Sequence, residues 1–272
     1  HKDYLAVKEF TLQRVGELRT ELRTSDGYVG MSDYLALVHR LGLSQPGVDL
    51  SLAAPLTFNG IVKPGAIIYN DLFTIYPYEN QMFVVKMSGR EIKDYLEASY
   101  DQWINTLTPA QLSRPISDAS PALLKIINHP DPRTSRQSWS FQNRSYNFDS
   151  AAGINYTVDV TKPSGERISI SSMADGAVFD FAREYNVAMT SYRACGGGGL
   201  LHAIGIDTSD IDSRIVARLP EYRNILYSYL KSHPVLTSEE LGDTSVTGTW
   251  KFVPEKQVGP FLRNDMCRLF GE

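Results

Sequence analysis

The stretch from residue 81 to residue 104 constrains the fold of this chain more than any other part of its sequence. Residues 81–87 favour a β-strand, and Ser88-Gly89 leads from them into residues 90–104. In that second part, residues that can share one helix face recur every three or four positions, at Ile92, Tyr95, Leu96, Ser99, Tyr100 and Trp103. This spacing predicts a helix with one buried face. A strand that leads directly into a long helix is typical of a mixed α/β fold.

The same mixture of patterns continues along the chain. Residues 48–55 alternate at a period of two, which predicts a strand, and residues 31–41 have the spacing of a capped helix. Further strands are expected at 66–69, 167–172, 185–190 and 249–253, weakly at 15–22, and as a pair within 146–160 broken at 151–153. Further helices are expected loosely at 3–17, at 70–75, and at 223–230 with Pro220 near the first turn. Residues 106–144 are predicted to be mostly loop. The sequence therefore predicts one mixed α/β (α+β) domain.

Composition excludes several classes of protein. The chain has 272 residues, 42% of them hydrophobic, and a formal net charge of −4. No apolar run approaches the roughly 18 residues of a membrane span. Mild acidity without a Lys/Arg block argues against a nucleic-acid groove. Two cysteines are too few for a disulfide framework or a cysteine-rich metal site.

No motif in the sequence supplies a catalytic centre. The five histidines are scattered, and Asp-x-His, His-x-His and His-Glu-x-x-His are all missing, so each histidine is interpreted as structural or exposed. Gly-x-Ser-x-Gly and the phosphate-binding Gly-x-x-x-x-Gly-Lys-Ser/Thr are missing too. We therefore predict no catalytic residue and no metal ligand in this chain.

The most unusual local feature is a run of four glycines, Gly196 to Gly199, directly after Cys195. Glycines cost backbone entropy, so such a run needs a reason. It could let backbone N–H groups approach an anion closely, or it could be a flexible turn after a strand. Cys195 could be a nucleophile, but a small buried residue is the simpler interpretation.

Two tyrosines stand at predicted strand ends. Tyr78 precedes the strand at 81–87, and Tyr192 precedes the glycine run. Aromatic rings on such loops can stack on a planar ligand, or they can serve packing alone.

Blocks of sequence in a fixed order point to one family. They are 51–55 (SLAAP), 65–72 (GAIIYNDL), 76–80 (YPYEN), 87–92 (MSGREI), 95–97 (YLE), 146–149 (YNFD), 153–156 (GINY) and 186–198 (NVAMTSYRACGGG). Together they resemble the C-terminal domain of the 5′-nucleotidase family over residues 16–254. Within it, the bacterial 5′-nucleotidase and 2′,3′-cyclic-nucleotide 2′-phosphodiesterase/3′-nucleotidase branch is the more similar.

This resemblance implies a fold, a boundary and a site. The fold would have mixed sheets flanked by helices, with residues 1–15 ending an interdomain linker and 16–272 forming the substrate-binding domain. Tyr78 and Tyr192 would clamp the base, and Asn80 would hydrogen-bond it. The resemblance also implies that Asn59, Gly196, Gly197 and Gly198 belong to the substrate-binding residues. Two family residues are replaced: the loop 57–63 lacks the phosphate-binding Arg, and Gly198 stands where the ribose-binding Asp would be.

The implied function is that of a nucleotide- or nucleoside-binding domain without activity of its own. Hydrolysis would belong to an N-terminal metallophosphoesterase domain with two divalent metal ions, in a periplasmic or cell-surface protein. An alternative is a stand-alone nucleotide-binding protein whose metallophosphatase is a separate chain. A third is a hydrolase that uses Cys195. The class of nucleotide and the preferred base stay open.

Overall fold

The computed structural model describes residues 11–117, 119–130, 132–133 and 137–271. The predicted linker and the helix predicted from residue 3 lie largely outside these ranges. The strands are β1 (Arg14–Leu18), β2 (Leu22–Arg23), β3 (Leu50–Ala53), β4 (Ile61–Val62), β5 (Gly65–Ile68), β6 (Gln81–Ser88), β7 (Ile126–Asn128), β8 (Trp139–Phe141), β9 (Ser150–Ala152), β10 (Ile154–Asp159), β11 (Ile168–Met173), β12 (Glu184–Thr190), β13 (Ile215–Glu221), β14 (Val235–Leu236) and β15 (Trp250–Val253).

Helices connect and cover these strands. They are α1 (Asp33–Leu43), α2 (Asp71–Ile75), α3 (Gly89–Trp103), α4 (Pro109–Leu112), α5 (Ser191–Ala194), α6 (Leu200–Ala203), α7 (Tyr222–Ser232), α8 (Ser238–Leu241), α9 (Thr244–Thr247) and α10 (Glu255–Phe270). Short 3₁₀ turns lie at Ser25–Tyr28, Ser145–Asn147, Gly197–Gly199 and Thr208–Arg214.

A five-stranded sheet with the order β13-β6-β12-β3-β9 forms the centre of the fold. β6 pairs antiparallel with both β12 and β13, β12 pairs parallel with β3, and β3 pairs antiparallel with β9. Two three-stranded sheets, β11-β10-β15 and β14-β1-β5, stand beside it. The sheets are mixed and flanked by helices, which confirms the predicted fold class.

The segment that constrained the fold forms as predicted. Ser88 starts α3 with a capping box: its hydroxyl accepts the Glu91 N–H, and the Glu91 carboxylate accepts the Ser88 N–H. All six residues of the predicted face are buried. The strands predicted at 48–55, 66–69 and 185–190, the paired strands within 146–160 and the helix at 31–41 are also present, with shifted ends.

Several expectations are wrong. Residues 14–18 form a strand, so the loose helix predicted to residue 17 is not continuous. Residues 126–128 and 139–141 form a hairpin inside the predicted loop. Pro220 lies in β13, an edge strand that can tolerate its missing N–H, and α7 begins after it. Helix α10, which has Pro260 in its interior, was not predicted.

A buried carboxylate on α10 ties this helix to the chain after α3. Asp265 is fully buried, and its Oδ2 accepts the backbone N–H groups of Leu123 and Leu124 at 2.7 and 2.9 Å. Burial raises the pKa of Asp265 to about 6, although the two N–H donors and Arg268 act in the opposite direction. This contact satisfies two buried N–H groups that would otherwise have no acceptor.

We expect Asp265→Ala to lower the free energy of unfolding by about 2–4 kcal/mol, because two buried N–H groups lose their acceptor. Urea denaturation measures this loss. Gln257→Ala, at an exposed position of the same helix, is the matched control and should change stability by less than about 0.5 kcal/mol. Equal losses in the two variants would show that the contact is not stabilising.

His39 on α1 is a structural histidine. It is fully buried, and its Nδ1 and Nε2 atoms lie 3.1 Å from the hydroxyls of Ser51 and Ser150. Burial lowers the pKa of His39 to about 3, so the ring is neutral in the folded protein at ordinary pH. The ring therefore joins α1 to β3 and β9.

We expect this histidine to make stability depend on pH. In the unfolded chain His39 binds a proton below about pH 6.5, whereas in the folded chain it does so only near pH 3. The contribution of His39 to the free energy of unfolding is therefore fully present above about pH 6.5 and is lost as the pH falls toward 3. The difference in free energy of unfolding between wild type and His39→Gln should decline by about 1.4 kcal/mol per pH unit below about pH 6. A difference that stays constant from pH 7 to pH 4.5 would contradict this.

Candidate functional site

Chain segments that carry the candidate residues meet at one edge of the five-stranded sheet, the edge at which the strands β3, β12 and β13 end. Because β6 and β12 are antiparallel, with Met82 opposite Thr190, the loop before β6 lies next to the end of β12. β3 runs parallel to β12 and ends at the same edge, while β9 begins there with Ser150 opposite Ala53. β13 also ends at this edge. Sheet topology thus collects residues that are more than a hundred positions apart.

The loop with Tyr78 is held in place by the start of α7. Arg223 donates from Nη1 to the carbonyl of Pro77 at 3.1 Å and from Nη2 to Oε1 of Glu79 at 3.2 Å. The Tyr222 N–H donates to the carbonyl of Asn80 at 3.0 Å. These contacts fix the backbone on both sides of Tyr78, whose ring is 38% exposed.

Tyr192 belongs to the one-turn helix α5, which Thr190 caps by accepting the Arg193 N–H at 3.1 Å. Tyr192 is 41% exposed, and its ring lies so close to the glycine turn that a Cβ on Gly197 would overlap it. Gly197 is therefore required by the position of Tyr192. Close packing against the Tyr192 ring therefore explains one of the four glycines.

Arg193, the next residue, is the centre of a buried polar network. Its Nε and Nη2 donate to the two carboxylate oxygens of Asp149 at 2.9 and 2.7 Å. Its other N–H groups donate to Asn147 Oδ1 and to the carbonyls of Gly197 and Tyr146. All five donors of this guanidinium are thereby used. Burial alone lowers the pKa of Arg193, but the Asp149 carboxylate raises it well above its usual value, so the ion pair stays charged.

A cavity of about 250 Å³ opens between these segments. This is slightly below the usual range for small-molecule pockets, about 300–1,000 Å³. Its walls include Tyr78, Asn80 and Tyr192 from the predicted site, together with Tyr146 and the aliphatic side chains that follow β3. Burial raises the pKa of Tyr78, and the neighbouring Tyr146 and Tyr192 raise it further, so its hydroxyl remains a neutral donor.

Tyr146 is a wall residue that sequence reasoning did not select. Its ring stands edge-on to both candidate clamp rings, with centroid distances of 6.0 Å to Tyr78 and 6.3 Å to Tyr192. Tyr146 lies in one of the sequence blocks that carry the family resemblance, and this position in a block was the feature of the sequence that could have identified it. We refer to Tyr78, Tyr146 and Tyr192 as the tyrosine triad.

The other candidate residues occupy different surroundings. Gly196 and Gly198 have φ angles of +95° and +75°, and a Cβ on Gly198 would overlap Arg193 Nη1 and Asn147 Oδ1. The room for an acidic side chain at position 198 is thus taken by the Arg193 network. Asn59 is exposed on the loop after β3 and is not among the residues that line the cavity. Cys195 is exposed, so the prediction of a buried cysteine is wrong: it is the residue that ends the one-turn helix α5.

Two further findings concern chemistry and environment. The described part of the chain contains no group of three or more His, Cys, Asp and Glu side chains placed to hold a metal ion. Within those same ranges, none of the helices is both long and apolar enough to cross a bilayer.

The fold thus places an aromatic cavity where several strands of a mixed central sheet end. The family model for the C-terminal domain of 5′-nucleotidases matches residues 14–204. The chain belongs to this family, as its sequence blocks indicated.

Relatives and solved structures agree with this assignment. The chain is 30% identical over 181 residues to a trifunctional nucleotide phosphoesterase of Bacillus subtilis, an alignment that covers 62% of the chain and 10% of the relative. It is 29% identical over 207 residues to a Haemophilus influenzae 2′,3′-cyclic-nucleotide 2′-phosphodiesterase/3′-nucleotidase, covering 71% of the chain and 26% of the relative. The chain thus spans about a tenth to a quarter of these proteins.

A 5′-nucleotidase precursor from Thermus thermophilus shares the fold, with a TM-score of 0.62 and 16% identity over 92% of this chain and 41% of that one. At this level of identity the likeness concerns the fold alone.

The Arg193 network predicts a difference between two neighbouring glycines. Gly198 and Gly199 have nearly the same φ, +75° and +72°, so an alanine at either position costs about 1–2 kcal/mol of backbone strain. A Cβ on Gly199 would meet nothing within 4 Å, whereas one on Gly198 would displace Arg193. We expect Gly198→Ala to lower the free energy of unfolding by at least about 2 kcal/mol more than Gly199→Ala. Chemical denaturation of both variants measures this, and equal losses would contradict it.

Proposed function

We propose that this domain binds the nucleobase of a nucleotide or nucleoside in the cavity between Tyr78 and Tyr192. The observation that carries the proposal is that both tyrosines, which the family resemblance assigns to the base clamp, line one mainly apolar cavity. Asn80, the residue assigned to the base edge, lines it too. Relatives of this chain are named as enzymes that act on nucleotides.

The chemistry of the walls fits a planar, uncharged ring. Base stacking on an aromatic side chain contributes about 1–3 kcal/mol per base and tolerates every base. The edge-on ring of Tyr146 would close one side of the slot, since edge-to-face contacts between aromatic rings are favourable. The Asn80 amide can offer a donor or an acceptor to the base edge. Binding should therefore be broad with respect to the base.

In this proposal the domain holds the substrate and another domain performs the hydrolysis. The expected partner is an N-terminal metallophosphoesterase domain, which would supply a water activated by two divalent metal ions. Two observations support the proposal. The chain covers only a small share of the length of its relatives. The carboxylate that lines the cavity, Asp149, is held in the ion pair with Arg193 and is therefore not free to act as an acid or base. We expect the 272-residue chain alone not to hydrolyse phosphate esters, with or without added Mn²⁺.

The family resemblance also leads us to infer a periplasmic or cell-surface location for the protein that contains this domain. Fractionation of cells that express the native gene tests this inference. Recovery of the protein with the cytoplasmic fraction would contradict it.

The base clamp is tested by Tyr78→Ala and Tyr192→Ala. Each should weaken adenosine binding, measured by isothermal titration calorimetry, by about 5- to 150-fold, because each removes one stacking surface. Tyr78→Phe and Tyr192→Phe keep the ring and should bind nearly as the wild type does. Tyr227→Ala removes a partly exposed tyrosine on α7 that contacts Tyr69 and lies outside the cavity lining, and it should leave the affinity unchanged. Unchanged affinity in both alanine variants of the clamp would overturn the proposal.

A further inference from the structure

A second, wider depression adjoins the base cavity at the same sheet edge. This outer groove has a volume of about 710 Å³ and shares Leu56, Tyr78 and Tyr146 with the cavity. The two spaces therefore adjoin at two members of the tyrosine triad. A ligand whose ring lies in the cavity against Tyr78 and Tyr146 would have the groove next to it.

The outer groove differs from the cavity in its polar groups. Its walls come from the loop after β3, from β8 and from the segment that leads to Tyr146. Hydroxyl groups line it at Thr57, Ser140 and Ser145. Among the described residues that line the groove, Arg144 has the only charged side chain.

Arg144 is an exposed cation that forms no ion pair with any residue that the structure describes. Its backbone carbonyl accepts the Asn147 N–H, which fixes the start of the 3₁₀ turn that carries Tyr146. Its guanidinium makes no salt bridge or hydrogen bond with the described residues, unlike Arg193 and Arg223, whose guanidinium groups hold loops of the cavity. Within the described ranges the guanidinium of Arg144 is therefore available to a ligand, two residues away from Tyr146, which borders both the cavity and the groove.

We propose that the outer groove holds the phosphorylated sugar of the nucleotide and that Arg144 binds its phosphate. This inference rests on the proposed base site and adds a residue that discriminates nucleotides from nucleosides. A guanidinium matches phosphate because its fork of N–H groups can donate two parallel hydrogen bonds to two phosphate oxygens. The hydroxyls of Thr57, Ser140 and Ser145 add neutral polar groups around the same space.

The experiment compares ligands that differ only by a phosphate. Calorimetry with the 272-residue chain should show that at least one of 2′-AMP, 3′-AMP and 5′-AMP binds about tenfold more tightly than adenosine, and Arg144→Gln should remove this gain while adenosine affinity stays unchanged. Arg144→Lys should keep part of it. The gain should also shrink between about 0.05 and 0.5 M NaCl, since an exposed charge is screened, whereas adenosine binding should not.

Lys63 provides the control for charge alone. It is an exposed cation on the loop after β4 and does not line the groove, so Lys63→Gln should keep the full phosphate gain. The inference is overturned if no monophosphate binds more tightly than adenosine, if the gain survives in Arg144→Gln, or if Lys63→Gln removes it instead. Thermal denaturation of each variant verifies that it is folded.

These outcomes are separable from failure of the base site. If the wild-type chain binds adenosine and its affinity falls in Tyr78→Ala, the base site stands whatever Arg144→Gln does. If the wild type binds neither adenosine nor any monophosphate, both proposals are wrong.

Discussion

The buried ion pair between Arg193 and Asp149 is the interaction on which the rest of the site depends. Removing two charges from water is costly, and only complete hydrogen bonding offsets that cost. Here the guanidinium uses every donor, and the carboxylate also accepts the Tyr95 hydroxyl. Because the same arginine bonds to the carbonyls of Tyr146 and Gly197, one network positions the turn before β9 and the glycine turn after Tyr192. Two walls of the cavity are thereby set by one side chain.

The other side of the cavity has a similar support of its own. Arg223 reaches from α7 to the loop of Tyr78, as Arg193 reaches to the turns around Tyr146. Rigid loops matter for stacking because a ring already held in position loses little freedom when a base binds, so more of the contact energy appears as affinity. The loops that carry the rings are thus held by the hydrogen bonds of Arg193 and Arg223. Arg193 and Arg223 use their charges to hold the loops of the cavity, whereas Arg144 lines the groove without an ion pair to any described residue.

Prediction from sequence succeeded where a local pattern was sufficient. The β6–α3 unit has a strand run, a capping box and six residues on one face, so its structure follows from neighbours in the chain. The hairpin β7–β8 did not follow, because strands of three residues are too short to show a period. Helix α10 was missed because Pro260 and polar positions interrupt its pattern, while tertiary contacts such as those of Asp265 hold it in place. Cys195 was wrongly expected to be buried, because the exposure of a residue at the end of a helix depends on tertiary packing that the neighbouring sequence does not show.

The sequence by itself determined the mixed α/β class, because the class follows from the spacing of apolar residues. It also determined the family and the residue types that can stack on a base, because these follow from sequence blocks in a fixed order. Tyr78, Tyr192 and Asn80 were selected from that information. Only the tertiary structure decided that Tyr146 stands edge-on to both Tyr78 and Tyr192, that Gly198 makes room for Arg193, and that Arg144 lines a groove next to the cavity. The physical reason is that strand pairing in the five-stranded sheet sets these distances, and residues such as Tyr78 and Tyr192 that it brings together lie more than a hundred positions apart.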